Sequence, residues 1–201
     1  MPTPDEITRH HDPTPPKGCN AWVAGKRPQV GVQIVDPDLR WPEDFAVLAQ
    51  RIVDALGPRA LAVEHIGSTA VPGLAAKPII DIVLTVLDPV VEANWLPPLE
   101  RAGFELIIRE PWWHEHRALT CPDPRSNVHV FGPDSPETIR LRLFRDWLRA
   151  HPEDAALYRD AKLSAATSSN AASGHVMDYN GRKEPVIRAI YHRAFHAAGL
   201  L

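Results

Sequence analysis

The sequence has few cysteines and no long apolar run. Cys19 and Cys121 are the only two cysteines among 201 residues, and they lack the spacing of a disulfide framework or a zinc site. The longest apolar run, residues 78–87, contains Asp81 and is far shorter than the roughly 20 residues that a membrane-spanning helix needs. These features predict a protein of the reducing cytoplasm that does not cross a membrane.

The sequence also has no large excess of charge of either sign. Its 22 Lys and Arg stand against 25 Asp and Glu, which gives a net charge of -3. Such a balance creates no global field that would attract a polynucleotide, so we expect no long nucleic acid as a partner. The first 28 residues have no apolar stretch that could act as a secretory signal, and they are rich in proline and charge. We interpret residues 1–28 as a flexible tail.

The remaining chain alternates between strand-like and helix-like patterns. Apolar or alternating segments predict strands at residues 30–35, 61–66, 79–87, 104–108, 118–121 and 128–131. Helical spacing predicts helices at residues 42–56 and 94–103 and several more after Ser135. The sequence therefore predicts an α/β core at residues 29–133, with a mixed sheet flanked by helices, and a C-terminal helical segment at residues 134–201.

The most informative stretch lies between two apolar strands and reads HIGSTAVPGLAAKPIIDI, residues 65–82. Gly67 lets the backbone approach a ligand closely, and the Ser68 and Thr69 hydroxyls, with nearby N–H groups, can meet phosphate oxygens. Asp81 interrupts the following strand, where a carboxylate must be paired, hydrogen-bonded or bound to a cation. An isolated glycine-serine pair more often serves only a tight turn, and it is the acid on the next strand that favours an anion site.

A glycine-serine loop followed by an acid on the next strand is typical of the nucleotidyltransferase superfamily. Together with NVHVF at 127–131 and LFRDWLRAHPEDAALYRDAK at 143–162, the loop resembles the GrpB family, a branch of that superfamily. The resemblance covers about residues 30–197. It implies a nucleotidyltransferase-type fold, but function has to be argued from the site itself.

Nucleotidyl transfer is an in-line displacement that is helped by divalent metals, which carboxylates usually hold. In this superfamily two acids commonly stand two residues apart on one strand, but here the second position is Val83. Asp81 is then the catalytic candidate and a ligand for Mg²⁺ or Mn²⁺, with Glu64 as a further ligand. Alternatively, His65 and His129 join Asp81 in a site for Mn²⁺ or Zn²⁺, as in a metal-dependent hydrolase.

Other side chains are candidates for contacts with phosphate or base. Lys77 precedes the Asp81 strand, Arg117 follows two tryptophans, and Arg145 belongs to the RDxLR motif implied by the family resemblance. Tyrosine and lysine recur one helical turn apart, at Tyr158 and Lys162 and again at Tyr179 and Lys183. The plainer alternatives are an exposed loop position for Lys77, simple packing for Trp112 and Trp113, and a solvated, salt-bridged helix surface for Arg145.

Three functions are compatible with these residues. The first is a transferase that binds a nucleoside triphosphate and passes a nucleotidyl group to an acceptor. The second is a non-catalytic accessory protein that binds a nucleotide or coenzyme, since the family resemblance includes domains fused to dephospho-CoA kinase. The third is the histidine-dependent metal hydrolase. All three take a nucleotide or another phosphorylated small molecule as partner.

Overall fold

The computed structural model describes residues 1–10, 15–23, 25–27, 31–172 and 176–201. The helices are α1 (Pro4–Thr8), α2 (Trp41–Leu56), α3 (Leu96–Arg101), α4 (Pro136–Ala150), α5 (Pro152–Ala171) and α6 (Val176–Ala197). The strands are β1 (Ala62–Ile66), β2 (Ile80–Thr85), β3 (Glu105–Glu110), β4 (His116–Pro122) and β5 (Arg125–Phe131). The predicted α/β architecture with a C-terminal helical segment is confirmed.

The five strands form one sheet in the order β1-β2-β5-β4-β3. β2 and β5 run parallel, and the other neighbouring pairs are antiparallel, so the predicted mixed sheet is confirmed. Asp81 lies near the start of β2, where it pairs with Ile66 at the end of β1 and with Asn127 on β5. This register brings the loop after β1 to the same corner of the sheet as Asp81.

The two faces of the sheet differ in character because side chains alternate along each strand. One face carries Ile82 and Val128, which pack with Leu48 and Ile52 of α2 in the main core. The other face carries the polar side chains of β2 and β5 and a smaller apolar cluster that includes Val83. The candidate functional residues therefore lie mostly on the side that the C-terminal helices cover.

The C-terminal helices are attached to the loop between β1 and β2. Val71 and Leu74 of that loop pack with Leu148 of α4, Tyr158 of α5 and Ile190 of α6. No helix within the described residues is long and apolar enough to cross a bilayer.

The predicted first strand at residues 30–35 is wrong for the residues that the structure describes. Val35 forms only an isolated bridge with Ala76. The Val32 backbone pairs instead with the side-chain amide of Asn170, which donates to its carbonyl and accepts from its N–H. A segment with strand-like alternation can thus make its backbone hydrogen bonds to a side chain of a helix. Residue 30 lies outside the described residues.

The N-terminal segment also differs from the expectation that it buries little. α1 has a capping box between Thr3 and Glu6, and Ile7 packs against Tyr191 and Phe195 of α6. Arg140 donates to the Ile7 carbonyl at 3.0 Å. Residues 11–14 of this segment lie outside the described residues.

Candidate functional site

Gly67 ends β1 in a conformation that other residues rarely adopt, with φ +71° and ψ −167°. A Cβ at this position would lie 2.6 Å from Oδ2 of Asp81, closer than any real contact. The missing side chain therefore creates the space in which the Asp81 carboxylate sits. The predicted convergence of the glycine loop and the lone acid is present in the structure.

The other oxygen of the Asp81 carboxylate is held by β5. Asn127 Nδ2 donates to Asp81 Oδ1 at 3.0 Å. Asp81 itself remains partly exposed. The carboxylate is thus fixed in position by an amide and a glycine, and it keeps one oxygen that is not bound by Asn127.

The two hydroxyls of the loop have different environments. Thr69 is buried, and its Oγ1 donates to the Ile79 carbonyl and accepts from Nε2 of His65 at 3.0 Å. Ser68 is partly exposed, and its hydroxyl forms no hydrogen bond within the described part of the chain. Of the two predicted phosphate contacts, Thr69 holds the loop together, and Ser68 has a hydroxyl that can still take a ligand.

Three lysines and two tyrosines gather beside this corner. The Lys162 ammonium lies 4.6 Å from the ring centroid of Tyr158, and Lys183 lies 4.7 Å from that of Tyr179. Lys77, from the loop before β2, lies 5.5 Å from the Tyr179 ring. The two tyrosine-lysine pairs that one helical turn predicted, together with Lys77, thus form one cluster, which we call the lysine pocket.

Burial dominates the electrostatics of the lysine pocket. Loss of solvent, together with the neighbouring charge of Lys183, lowers the pKa of Lys162 to about 7, while Asp81 acts in the opposite direction. Burial likewise lowers the pKa of Lys77, again opposed by Asp81. Asp81 is therefore close enough to both lysines to influence their titration.

The lysine pocket has more positive than negative charge. Lys162 is 1% exposed and donates to the carbonyl of Ala75. Within the described ranges, neither Lys77, Lys162 nor Lys183 forms an ion pair with a carboxylate. A buried ammonium without a counter-ion is unfavourable, so the site as it stands favours an anion.

The arginines of α4 support the loop instead of opening toward a ligand. Arg145 donates to the His65 carbonyl at 3.0 Å and pairs with Asp146 through its other nitrogens. Arg149 donates twice to the carbonyl of Ala70. Arg145, predicted to contact phosphate, therefore has its guanidinium engaged in holding the loop.

One other predicted site residue, Arg117, lies away from Asp81. Arg117 pairs with Val130, a residue of the main core, so it projects from the opposite face of the sheet. Its guanidinium is bound by Glu92, with Nε 2.7 Å from Oε1. The structure thus separates Arg117 from the lysine pocket.

The predicted set of metal ligands is not assembled. His65 pairs with Ile82 and stacks on Phe45 of α2, on the face opposite Asp81. Glu64 is bound by Arg142 at 2.6 Å. Among the described residues, no group of three or more His, Cys, Asp and Glu side chains is placed to hold a metal. The alternative site of His65, His129 and Asp81 is therefore wrong, because the strand period sends His65 to the other side.

Sequence reasoning named His129 as a metal ligand, but it did not identify the contacts that Asn127, His116 and Glu110 make at this corner. Asn127 and His129 share one face of β5, which the alternation in NVHVF indicates, but the hydrogen bond from Asn127 to Asp81 depends on strand register. His116 is 3.0 Å from His129, and Glu110 is 2.7 Å from His116. The run HEH at 114–116 is the sequence signal that could have drawn attention to His116.

Comparisons with known proteins identify the family and agree with the fold. A family model described as GrpB protein matches residues 31–193. The chain belongs to the GrpB family. A UPF0157 protein of Halalkalibacterium halodurans is 44% identical over 163 residues, which cover 81% of this chain and 82% of that relative.

Two further matches place this GrpB-family chain among known proteins. The crystal structure of conserved protein GrpB from Enterococcus faecalis has a TM-score of 0.72 and 31% identity, covering 83% of this chain and 99% of that one. A dephospho-CoA kinase of Mycolicibacterium paratuberculosis is 33% identical over 190 residues. That match spans 82% of this chain and 46% of the kinase, so the likeness concerns only part of the kinase.

Proposed function

We propose that the protein binds the phosphate chain of a nucleoside triphosphate in the lysine pocket and transfers the nucleotidyl group to an acceptor hydroxyl. The observation that carries the proposal is the buried, unpaired Lys162 beside Lys77, Lys183 and the fixed carboxylate of Asp81. Lysine is a common phosphate ligand because its compact charge can meet oxygens from several directions. Gly67 leaves the space that the Asp81 carboxylate occupies beside the loop.

A divalent cation would enter with the triphosphate. Mg²⁺ keeps several waters and takes other ligands from phosphates, so a single carboxylate can complete its coordination. Asp81 is the residue that would hold Mg²⁺ or Mn²⁺, which would neutralise phosphate charge. The lysines would supply the remaining positive charge in place of a second acid-bound metal.

The binding step is testable by calorimetry with ATP and MgCl₂ or MnCl₂. Substituting Lys162→Met should weaken ATP binding about tenfold or more, because a charged hydrogen bond contributes roughly 1.5–3 kcal/mol. Arg182→Met is the matched control, since Arg182 is exposed on the same helix as Lys183. Asp81→Asn should remove the dependence of binding on the divalent ion. A wild-type protein that binds no ATP with either ion would refute the proposal.

A second candidate is a non-catalytic accessory protein that binds a nucleotide or a coenzyme precursor. The match to part of a dephospho-CoA kinase favours it, as does Val83 in the position of a second acid. This candidate predicts binding of ATP or dephospho-CoA in the same pocket without turnover. A nucleotidylated product detected by mass spectrometry would exclude it.

A further inference from the structure

Three titratable side chains, one each from β3, β4 and β5, form a hydrogen-bonded series on the Asp81 face of the sheet. Glu110 Oε2 lies 2.7 Å from Nδ1 of His116, and His116 Nε2 lies 3.0 Å from Nδ1 of His129. The two imidazole planes differ by 17°. Phe131 stacks on His116 at 4.8 Å between centroids, and Trp113 meets it edge-on at 4.9 Å, so the central ring has little freedom to rotate.

The hydrogen bonds fix the tautomer of both neutral histidines. An ionised carboxylate only accepts hydrogen bonds, so the Nδ1 of His116 must carry the proton that Glu110 receives. The Nε2 of His116 is then an acceptor, and the Nδ1 of His129 must donate to it. His129 is thereby left with an unprotonated Nε2, which is the form of imidazole that can take up a proton.

In this series of side chains, His116 is buried and His129 is partly open to solvent. His116 is 3% exposed, whereas His129 is partly exposed. His129 lies two residues after Asn127 on the same face, about 7 Å further along β5. The charged and titratable groups that act on His129 are His116, Asp81 and Glu110. On the same face of the sheet, Val83 pairs with His129 on one side and with Glu64 on the other, and Glu64 is bound to Arg142.

We propose that His129 is the general base for the transfer reaction, with His116 and Glu110 as positioning residues. The inference rests on the proposed function. The acceptor oxygen forms a bond to the α-phosphorus as its proton moves to Nε2 of His129. The bond from that phosphorus to the bridging oxygen breaks, and pyrophosphate leaves with the electron pair. The positive charge on His129 is then stabilised through His116 by Glu110.

The physical state of His129 can be read without turnover. Protein labelled with ¹⁵N-histidine should show, at pH 7, a neutral His129 with protonated Nδ1 and bare Nε2. In Glu110→Gln the negative charge is lost, and protonation of the His116 and His129 pair should move to lower pH by about one unit or more. A His129 protonated on Nε2 at pH 7, or a titration that Glu110→Gln leaves unchanged, would overturn the proposal.

Turnover supplies the second test, with α-³²P-labelled ATP, MgCl₂ and water as the acceptor. His129→Asn keeps a donor for His116 but has no basic nitrogen, so it should lower the rate of AMP and pyrophosphate formation about 100-fold or more. The dissociation constant for ATP should stay within about threefold, because general-base catalysis acts on the chemical step and not on binding. His192→Asn, on an exposed position of α6, should match the wild type.

The outcomes separate this inference from the proposed function. Glu110→Gln should shift the acidic limb of the pH–rate profile to lower pH, which a merely structural role for Glu110 would not do. ATP binding without any AMP formation by the wild type, or an unchanged rate in His129→Asn, would refute the general base and leave ATP binding standing. A wild type that does not bind ATP would refute the proposed function and with it the substrate of the base.

Discussion

Binding of ATP should take up a proton, and Lys162 is the residue that should receive it. Its pKa in the free protein is lowered to about 7, chiefly because it is buried. A phosphate group placed against the ammonium supplies the missing opposite charge and returns the pKa toward its ordinary value, about 10.4. At pH values between about 7 and about 10.4, Lys162 is mostly neutral in the free protein and mostly charged in the complex with ATP.

The size of the effect follows from these values. At pH 8 about one tenth of Lys162 is charged in the free protein, so binding should take up about 0.9 proton. If only the charged form binds phosphate well, the affinity for ATP should fall about 50-fold between pH 7 and pH 9. The affinity falls as pH rises because binding raises the pKa of Lys162, so above pH 7 the free protein must take up a proton in order to bind.

Calorimetry of ATP binding at pH 8 in buffers with different enthalpies of ionisation measures this uptake directly. Lys162→Met should abolish most of it, whereas Arg182→Met should leave it unchanged. The phosphate chain of ATP is already deprotonated at pH 8 and contributes little. Binding without proton uptake in the wild type, or equal uptake in Lys162→Met, would refute the reasoning.

Three further predictions concern stability and are measured as urea denaturation midpoints. Gly67→Ala should lower the free energy of unfolding by about 2 kcal/mol or more, because the new Cβ clashes with the Asp81 carboxylate and the backbone is strained. Gly73→Ala is the control: its φ is +75° and no atom lies near its Cβ, so it should lose only the contribution of the strain. Equal losses in the two variants would refute this. Ile7→Ala should destabilise by about 2 kcal/mol, and no loss would mean that α1 does not pack in solution. The hydrogen bond from Arg193 lowers the pKa of Asp154, so the stability lost in Asp154→Asn should be largest above the ordinary aspartate pKa of about 4 and should shrink as pH falls below it; a loss that is independent of pH would contradict this.

The sequence was informative where local spacing decides the structure and misleading where register decides it. Tyr158 and Lys162 lie one turn apart in any helix, so their proximity could be predicted before the fold was known. His65 was assigned with His129 and Asp81 to one metal site because imidazole suits Mn²⁺ or Zn²⁺. The strand period places it on the opposite face, and only the pairing of Ile66 with Asp81 reveals this. Arg117 was predicted to contact phosphate because it follows two tryptophans, and its pairing with Val130 places it on the opposite face as well.

Val83 shows why the acidic set is incomplete in this chain. The side chain is 1% exposed and packs with Ile66 and Phe131, with Trp113 and Leu141 against the cluster. A carboxylate in that position would lose its water without gaining a partner, because the neighbouring Glu64 is acidic as well. Valine is therefore part of the core on this face, and restoring a second acid would require the cluster to change. In the proposed function, the positive charge at the phosphates would come from Lys162 and Lys183 of the helices and from Lys77 of the loop before β2, and not from a pair of metals.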